Sequence, residues 1–175
     1  MGTGRATRLT TGLALLSTGL LAGTFGYGAV NLVTTFNAVP LDVRLTFHSA
    51  LMRVNGPVVQ TTMALAALSS IALAVLTRGR ARPAAAAAGL LVVTSFLVTR
   101  LGNVPINARI KEWAVTTAPA DHAEVLGRWE AFNLVRTLTA LAAFLLVIGL
   151  ATRSRVNGPG AQKASAIGVA PPISS

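Results

Sequence analysis

The 175-residue sequence contains no cysteine, and charged residues make up only 11% of it. The lack of cysteine excludes disulfides, thiolate metal sites and dithiol redox chemistry. Soluble domains typically carry about 25% charged residues. A chain this small also has too little interior to bury the 53% of its residues that are hydrophobic. The composition therefore excludes a wholly disordered chain and argues against a soluble globular domain.

Acidic residues are especially scarce, since five Asp and Glu stand against 15 Lys and Arg, which gives a net charge of +10. A strongly basic chain is often a nucleic-acid-binding protein. Here, however, the basic residues flank long uncharged stretches, which is typical of membrane topology signals and of contacts with anionic lipid. We therefore expect membrane lipid, and no nucleic acid, among the partners.

Four mainly apolar stretches are long enough to cross a membrane, for which a helix needs about 20 residues. They predict an all-α fold, a four-helix transmembrane bundle with antiparallel neighbours and two longer extracytoplasmic connections. The membrane domain is predicted to cover residues 1–152. Its spans are predicted at about 9–33, 57–77, 83–102 and 130–152.

The basic loop Arg78–Arg82, with three Arg in five residues, is the strongest indicator of topology. By the positive-inside rule, and because four spans place both termini on one side, we expect cytoplasmic termini in the cell membrane. Residues 153–175 are rich in Gly, Pro and Ser, which predicts a disordered cytoplasmic tail. The alternative for the first span is a signal peptide, but the apolar run is longer than usual and no A-x-A site follows.

The connections between the spans contain two features of their own. The segment from Val43 to Arg53 predicts a short interfacial or re-entrant helix, or an outer extension of the second span. Pro105 is expected to break the third helix, because proline lacks a backbone N–H and clashes with the preceding turn.

Polar residues recur on one face of the fourth span. Trp129, Asn133 and Arg136 are spaced i, i+4, i+7 and so share a helical face. A matching polar set, comprising Arg100, Asn103 and Asn107, ends the third span. Because polar residues inside membrane domains usually face the bundle interior, both sets predict one polar pocket between the third and fourth spans, near the outer face.

A purely structural interpretation of the same residues stays open. Arginines near helix ends can extend to the headgroups, and Trp113 and Trp129 can belong to an aromatic belt at the interface. Asn107 and Asn133 can also act as hydrogen-bonding contacts between helices.

The pattern Asn103-x-Pro105-x-Asn107, followed by Trp129-x-x-x-Asn133-x-x-Arg136 and an Ala/Leu-rich last helix, resembles the anthrone oxygenase-like family of small four-helix membrane proteins. The similarity is clearest over about 97–150. The resemblance implies a polar pocket at one end of the bundle. In the named members it implies oxidation of a polyphenolic anthrone to the quinone by O2, without a known bound cofactor.

That chemistry would need a stabilised substrate anion, a base and limited access of water. The predicted catalytic residues are His48 as base, Asn133 and Arg136. A capping or core role for His48 is the competing interpretation. The partners would be a small aromatic substrate and O2. The predicted substrate-binding residues are Arg100, Asn103, Asn107, Trp113 and Trp129.

Other classes of site have little support in the sequence. A metal would have to combine His48, His122, Asp121 and Glu130, but no E-x-x-H or H-x-x-x-H spacing occurs, so no metal site is predicted. We predict no cofactor. The alternative function is a non-enzymatic membrane protein that binds a small molecule, lipid or a partner protein, and a homo-oligomer stays open.

Overall fold

The computed structural model describes residues 2–156, and every regular element in that part of the chain is helical. The α-helices are α1 Gly2–Tyr27, α2 Val33–Asn37, α3 Leu41–Leu76, α4 Arg82–Val98, α5 Val104–Trp113 and α6 His122–Val156. Two π-helical turns occur among these residues, Gly28–Leu32 between α1 and α2 and Thr99–Asn103 between α4 and α5. A short 3-10 turn, Gly79–Ala81, precedes α4.

These elements join into four long helices, each long and apolar enough to cross a membrane. The prediction of an all-α, four-helix transmembrane fold is therefore confirmed. We refer to these helices as the first to fourth spans. They cover Gly4–Asn37, Leu41–Leu76, Gly79–Trp113 and His122–Arg153.

The four spans pack as a square in which each touches two neighbours. The first span packs on the second and fourth, and the third packs on the same two. The core forms layers along the bundle axis. Small residues are frequent in the layer near the chain termini, such as Ala85 and Ala88, and in the middle layer, such as Ala143. Small side chains let helix backbones approach closely. Larger side chains, including Phe36 and Trp129, fill the core at the opposite end, which we call the distal end.

The distal connections are more helical than the sequence predicted. Helix α3 begins at Leu41 instead of residue 57, so the segment around Val43 to Arg53 is an extension of the second span at the distal end. Helix α6 begins at His122, whereas the fourth span was predicted to begin at about residue 130. Only residues 38–40 and 114–121 stay non-helical there.

The expected break at Pro105 is wrong. The helical path continues through it, because the preceding π-helical turn is wider: the Val104 N–H bonds the carbonyl of Thr99, five residues back. Insertion of such a turn shifts the hydrogen-bonding register and accommodates a residue that would disturb a regular α-helix. Pro57 is also accommodated inside α3, where the sequence had suggested a helix start.

At the other end of the chain, α6 continues to Val156. The disordered tail was predicted to begin at residue 153, whereas α6 runs through residue 156. The rest of the predicted tail, residues 157–175, lies outside the described residues.

The third and fourth spans are in close contact at Gly102. A Cβ atom built there would lie 2.7 Å from the ring of Phe132. Real Cβ contacts are longer than this, so the contact between the two spans depends on the absence of a side chain at Gly102.

We expect Gly102→Ala to destabilise the bundle by about 1–3 kcal/mol, the usual cost of overpacking. The measurement is the thermal unfolding midpoint of the purified protein in detergent. Gly149→Ala is the matched control, because a Cβ at Gly149 has nothing within 4 Å. Equal midpoints for the two variants would contradict the close contact.

Candidate functional site

A cavity of about 800 Å³ lies in the distal half of the bundle. Ligand pockets usually fall between about 300 and 1,000 Å³, so this volume suits a small organic molecule. Aromatic side chains and small residues form much of the lining. Its polar and aromatic lining residues are Thr24, Phe25, Tyr27, Phe36, Asn55, Gln60, Thr99, Asn107, Lys111, Trp129, Asn133 and Arg136.

Three of the four surrounding spans lose their regular α-helical hydrogen bonding at this level. The first and third spans contain the π-helical turns Gly28–Leu32 and Thr99–Asn103, and the second span contains Pro57. Gly28 and Thr99 both line the cavity. π-Helical turns occur frequently at functional sites, and here they lie where the bundle widens.

Arg136 points into the bundle from α6. Its Nε and Nη2 donate to Oδ1 of Asn133 at 3.0 and 2.7 Å, and its guanidinium lies 4.3 Å from the ring centroid of Phe25. The backbone carbonyl of Arg136 accepts a hydrogen bond from Oγ of Ser95. The side chain is therefore held by Asn133 and Phe25 with its remaining nitrogen, Nη1, left for the cavity.

The cavity is electropositive. Its lining contains two cations, Arg136 and Lys111, and neither Asp nor Glu. The ion pairs among residues 4–153 are Arg44–Glu130 and Arg109–Asp121, so Arg136 has no carboxylate partner in that part of the chain. An unpaired cation in a membrane domain is costly and marks a functional site by default. The arrangement favours an anionic ligand.

Asn107 is the centre of a hydrogen-bonded group in the cavity wall. Its Oδ1 accepts a hydrogen bond from Nε1 of Trp129 at 2.8 Å and lies 3.2 Å from Nε2 of His48. The His48 ring stacks on Phe36, with centroids 4.8 Å apart, and meets the Trp129 ring edge-on at 4.6 Å. His48 itself has no exposed surface. Because Phe36 and Trp129 line the cavity, His48 lies behind its wall.

The predicted site residues divide into two groups. The first lines the cavity and consists of Asn107, Trp129, Asn133 and Arg136. The second lies elsewhere and consists of His48, Arg100, Asn103 and Trp113.

The residues away from the cavity have other contacts. Asn103 is buried and donates from Nδ2 to the backbone carbonyl of Trp129 at 3.0 Å, which ties the third span to the fourth. Trp113 is buried in the distal core, with the Arg109 guanidinium 5.0 Å from its ring. Arg100 is exposed on the outside of the bundle.

The cavity is also placed differently from the prediction. It was expected between the third and fourth spans, but all four spans line it. The contacts of Asn103 and Gly102 close the gap between the third and fourth spans. The open volume therefore lies on the side of the first and second spans.

Sequence reasoning missed the contribution of those two spans. Asn55 and Gln60 lie in the uncharged second span, so their polarity was an available signal. Lys111 was not among the predicted site residues. Nothing in the local sequence marks Phe25 as a neighbour of Arg136.

A second, smaller cavity of about 350 Å³ lies at the distal end, next to the first. Phe36 lines both. Arg44 there is 8% exposed in its side chain, and its Nη2 lies 2.9 Å from Oε1 of Glu130. Arg44 also donates to Asn37, and its guanidinium lies 5.7 Å from the Phe36 ring. This ion pair therefore supports the wall that Phe36 forms.

The described residues contain no group of three or more His, Cys, Asp or Glu that is arranged to hold a metal ion. His122 instead has its Nδ1 2.8 Å from the carbonyl of Pro119, at the start of α6.

A family model described as anthrone oxygenase matches residues 44–146. The matched range begins in α3 and ends in α6, so it includes His48, Asn107, Trp129, Asn133 and Arg136. No curated protein and no solved structure matches the chain.

The Arg44–Glu130 pair gives a test of the distal wall. Glu130→Ala leaves the buried Arg44 without its carboxylate, and we expect a loss of about 1–3 kcal/mol in unfolding free energy. Asp121→Ala is the control, because its pair with Arg109 is 58% and 44% exposed and exposed pairs contribute about 0–1 kcal/mol. Denaturant unfolding in detergent measures both. A Glu130→Ala variant no less stable than Asp121→Ala would show that the pair does not support this end.

Proposed function

We propose, since the chain belongs to the anthrone oxygenase family, that this membrane protein oxidises a phenolic, anthrone-like aromatic with O2 inside the large cavity. The observation that carries the proposal is Arg136: a cation without a carboxylate partner among the described residues, facing an aromatic-lined cavity inside a membrane bundle. O2 and apolar aromatics both partition into a bilayer, so both can reach such a cavity.

The overall reaction would convert one anthrone and one O2 into one quinone and one water. The carbon opposite the ketone loses a proton, and the resulting anion carries its charge on the ketone oxygen. The anion transfers one electron to O2, and the carbon radical and superoxide then combine in a C–O bond. The peroxide takes up a proton. Loss of the remaining C–H proton and cleavage of the O–O bond release water and form the second carbonyl.

Arg136 would stabilise the anion from which this sequence starts. A fixed positive charge directed at the developing oxyanion acts most strongly where water is excluded. Asn133 holds the guanidinium in place through two hydrogen bonds to its Oδ1. Phe25, Phe36 and Trp129 would provide apolar surface against which the aromatic rings pack.

The proposal does not use His48 as the base, although the sequence predicted that role for it. His48 lies behind Phe36 and Trp129, and the cavity lining contains no Asp, Glu or His. In the proposal the ligand therefore binds as its anion, because a nearby positive charge favours the charged form of an acid. The proton is lost on binding and needs no residue of the lining.

The absence of Asp, Glu and His from the lining also favours a second candidate function, the binding of an aromatic anion without turnover. In that case Arg136 and Lys111 would supply the charge for recognition only. O2 consumption separates the two candidates, because a binding protein would bind the aromatic and consume no O2.

The test of the oxygenase uses purified protein in lipid nanodiscs with a dihydroxyanthrone, and measures O2 uptake and quinone absorbance. We expect Arg136→Ala to lower kcat by about 10²–10³, the usual effect of removing one oxyanion donor. Asn133→Ala should lower it in the same direction, because it releases the guanidinium. Arg128→Ala, an exposed arginine on the same helix, is the matched control. Full activity of the Arg136→Ala variant would refute the catalytic role.

Orientation is part of the proposal: the protein lies in the cell membrane with both termini in the cytoplasm, as the basic loop Arg78–Arg82 suggests. The chain has no cysteine, so single cysteines can be introduced without background. A membrane-impermeant maleimide should label Thr117→Cys, between α5 and α6, in intact cells. It should label Arg80→Cys only after the membrane is permeabilised. The reverse labelling pattern would show that both termini lie outside the cytoplasm and would refute this orientation.

A further inference from the structure

We infer that Asn107 is the second ligand-contacting donor of the cavity, and that His48 is a positioning residue that holds the Asn107 amide in the required orientation. The identity of the ligand rests on the proposed function. The hydrogen-bond geometry around Asn107 does not.

The contact with Trp129 sets the orientation of the Asn107 amide. Indole Nε1 of Trp129 can only donate, so the atom of Asn107 that faces it at 2.8 Å has to be the acceptor Oδ1. This contact fixes which way the amide lies, a choice that is otherwise ambiguous for asparagine.

The position of the proton on His48 follows from this amide orientation. Because Oδ1 is an acceptor, Nε2 of His48, 3.2 Å away, bonds it only when Nε2 carries the proton. The lone pair is then on Nδ1, which is buried and has no hydrogen-bond partner among the described residues. Phe36 covers the ring face and Trp129 meets it edge-on. The basic nitrogen of His48 is thus enclosed away from the cavity.

The nitrogen of the Asn107 amide, Nδ2, is available to a ligand. With Oδ1 occupied by two donors, Nδ2 makes no hydrogen bond within the described chain, and it is not among the enclosed polar atoms that lack partners. Asn107 lines the cavity. Its two N–H groups are therefore directed to whatever occupies the cavity.

The position of this donor indicates the ligand. Trp129, which bonds Asn107, precedes Arg136 by seven residues on α6, which corresponds to about 10 Å along the helix. Asn107 and Arg136 therefore face the cavity at two levels. A ligand that satisfies both carries an anionic oxygen at one end and a second oxygen acceptor at the other, as a polyphenolic aromatic does.

The test begins with binding of a dihydroxyanthraquinone, which resembles the product and is not turned over. Binding is followed by tryptophan fluorescence, and ionisation of the bound probe by its visible absorption. Asn107→Asp keeps an oxygen acceptor for Trp129 and His48 but replaces the donor with a negative charge. We expect it to weaken binding about a hundredfold, because like charges oppose each other at close range. Binding equal to that of the wild type, or no binding by the wild type, would overturn the inference.

His48 is tested with two substitutions. His48→Phe keeps a ring to stack on Phe36 but has no donor, and we expect about tenfold weaker binding of the probe, the value of one hydrogen bond to an oriented group. His48→Gln restores an N–H near Oδ1 of Asn107 and should regain most of that affinity. Thermal midpoints show whether each variant folds. Rescue by glutamine supports positioning, whereas equal loss in both variants, or no loss in His48→Phe, would overturn it.

Turnover of a dihydroxyanthrone then separates positioning from base catalysis. Glutamine cannot take up a proton, so a general base predicts that His48→Gln is as inactive as His48→Phe. Positioning predicts that kcat recovers in His48→Gln together with binding, and that the pH profile keeps its shape. If no anthrone is consumed by any form while the binding pattern holds, the oxygenase proposal fails and the role of Asn107 stands.

Discussion

The arrangement of this bundle depends on one constraint: a polar group inside a membrane domain is costly unless it finds partners within the protein. Arg136 shows the constraint most clearly. Its guanidinium is held by Asn133 and lies over Phe25, which brings the fourth span against the first. Because neither partner carries a charge, the positive charge itself remains uncompensated among the described residues. The structure thus satisfies the hydrogen bonds of Arg136 in part and leaves its charge available.

The irregular helices around the cavity follow the same constraint. Backbone that departs from the α-helix is tolerated at membrane depth only where it is buried or lines a cavity. The π-helical turns Gly28–Leu32 and Thr99–Asn103 meet this condition, since each contributes residues to the lining. The second of these turns also contains Gly102, whose close contact with Phe132 holds the third and fourth spans together. The turn Thr99–Asn103 therefore has two roles: it packs the third span against the fourth and contributes Thr99 to the cavity lining.

The sequence was informative where one helical face carries the signal. The spacing of Trp129, Asn133 and Arg136 predicted a shared direction, and all three line the cavity. It was uninformative about which polar residues of one face reach the cavity. Asn103 and Asn107 are four residues apart, and both bond Trp129 of the fourth span, Asn103 at the backbone carbonyl and Asn107 at the indole N–H. Only Asn107 lines the cavity. The spacing predicts the shared face, but no local pattern shows where along that face the cavity begins.

His48 illustrates a second limit of sequence reasoning. Its residue type suggested a base, because histidine is the side chain most often used for proton transfer near neutral pH. Its role depends instead on contacts with residues far away in the chain: Asn107 is 59 positions distant, and Trp129 belongs to the fourth span. Phe36 and Trp129 separate the ring from the cavity, while its Nε2 reaches the amide that does face the cavity. The same histidine can therefore matter to the chemistry without contacting the ligand, and only the packing around it distinguishes the two roles.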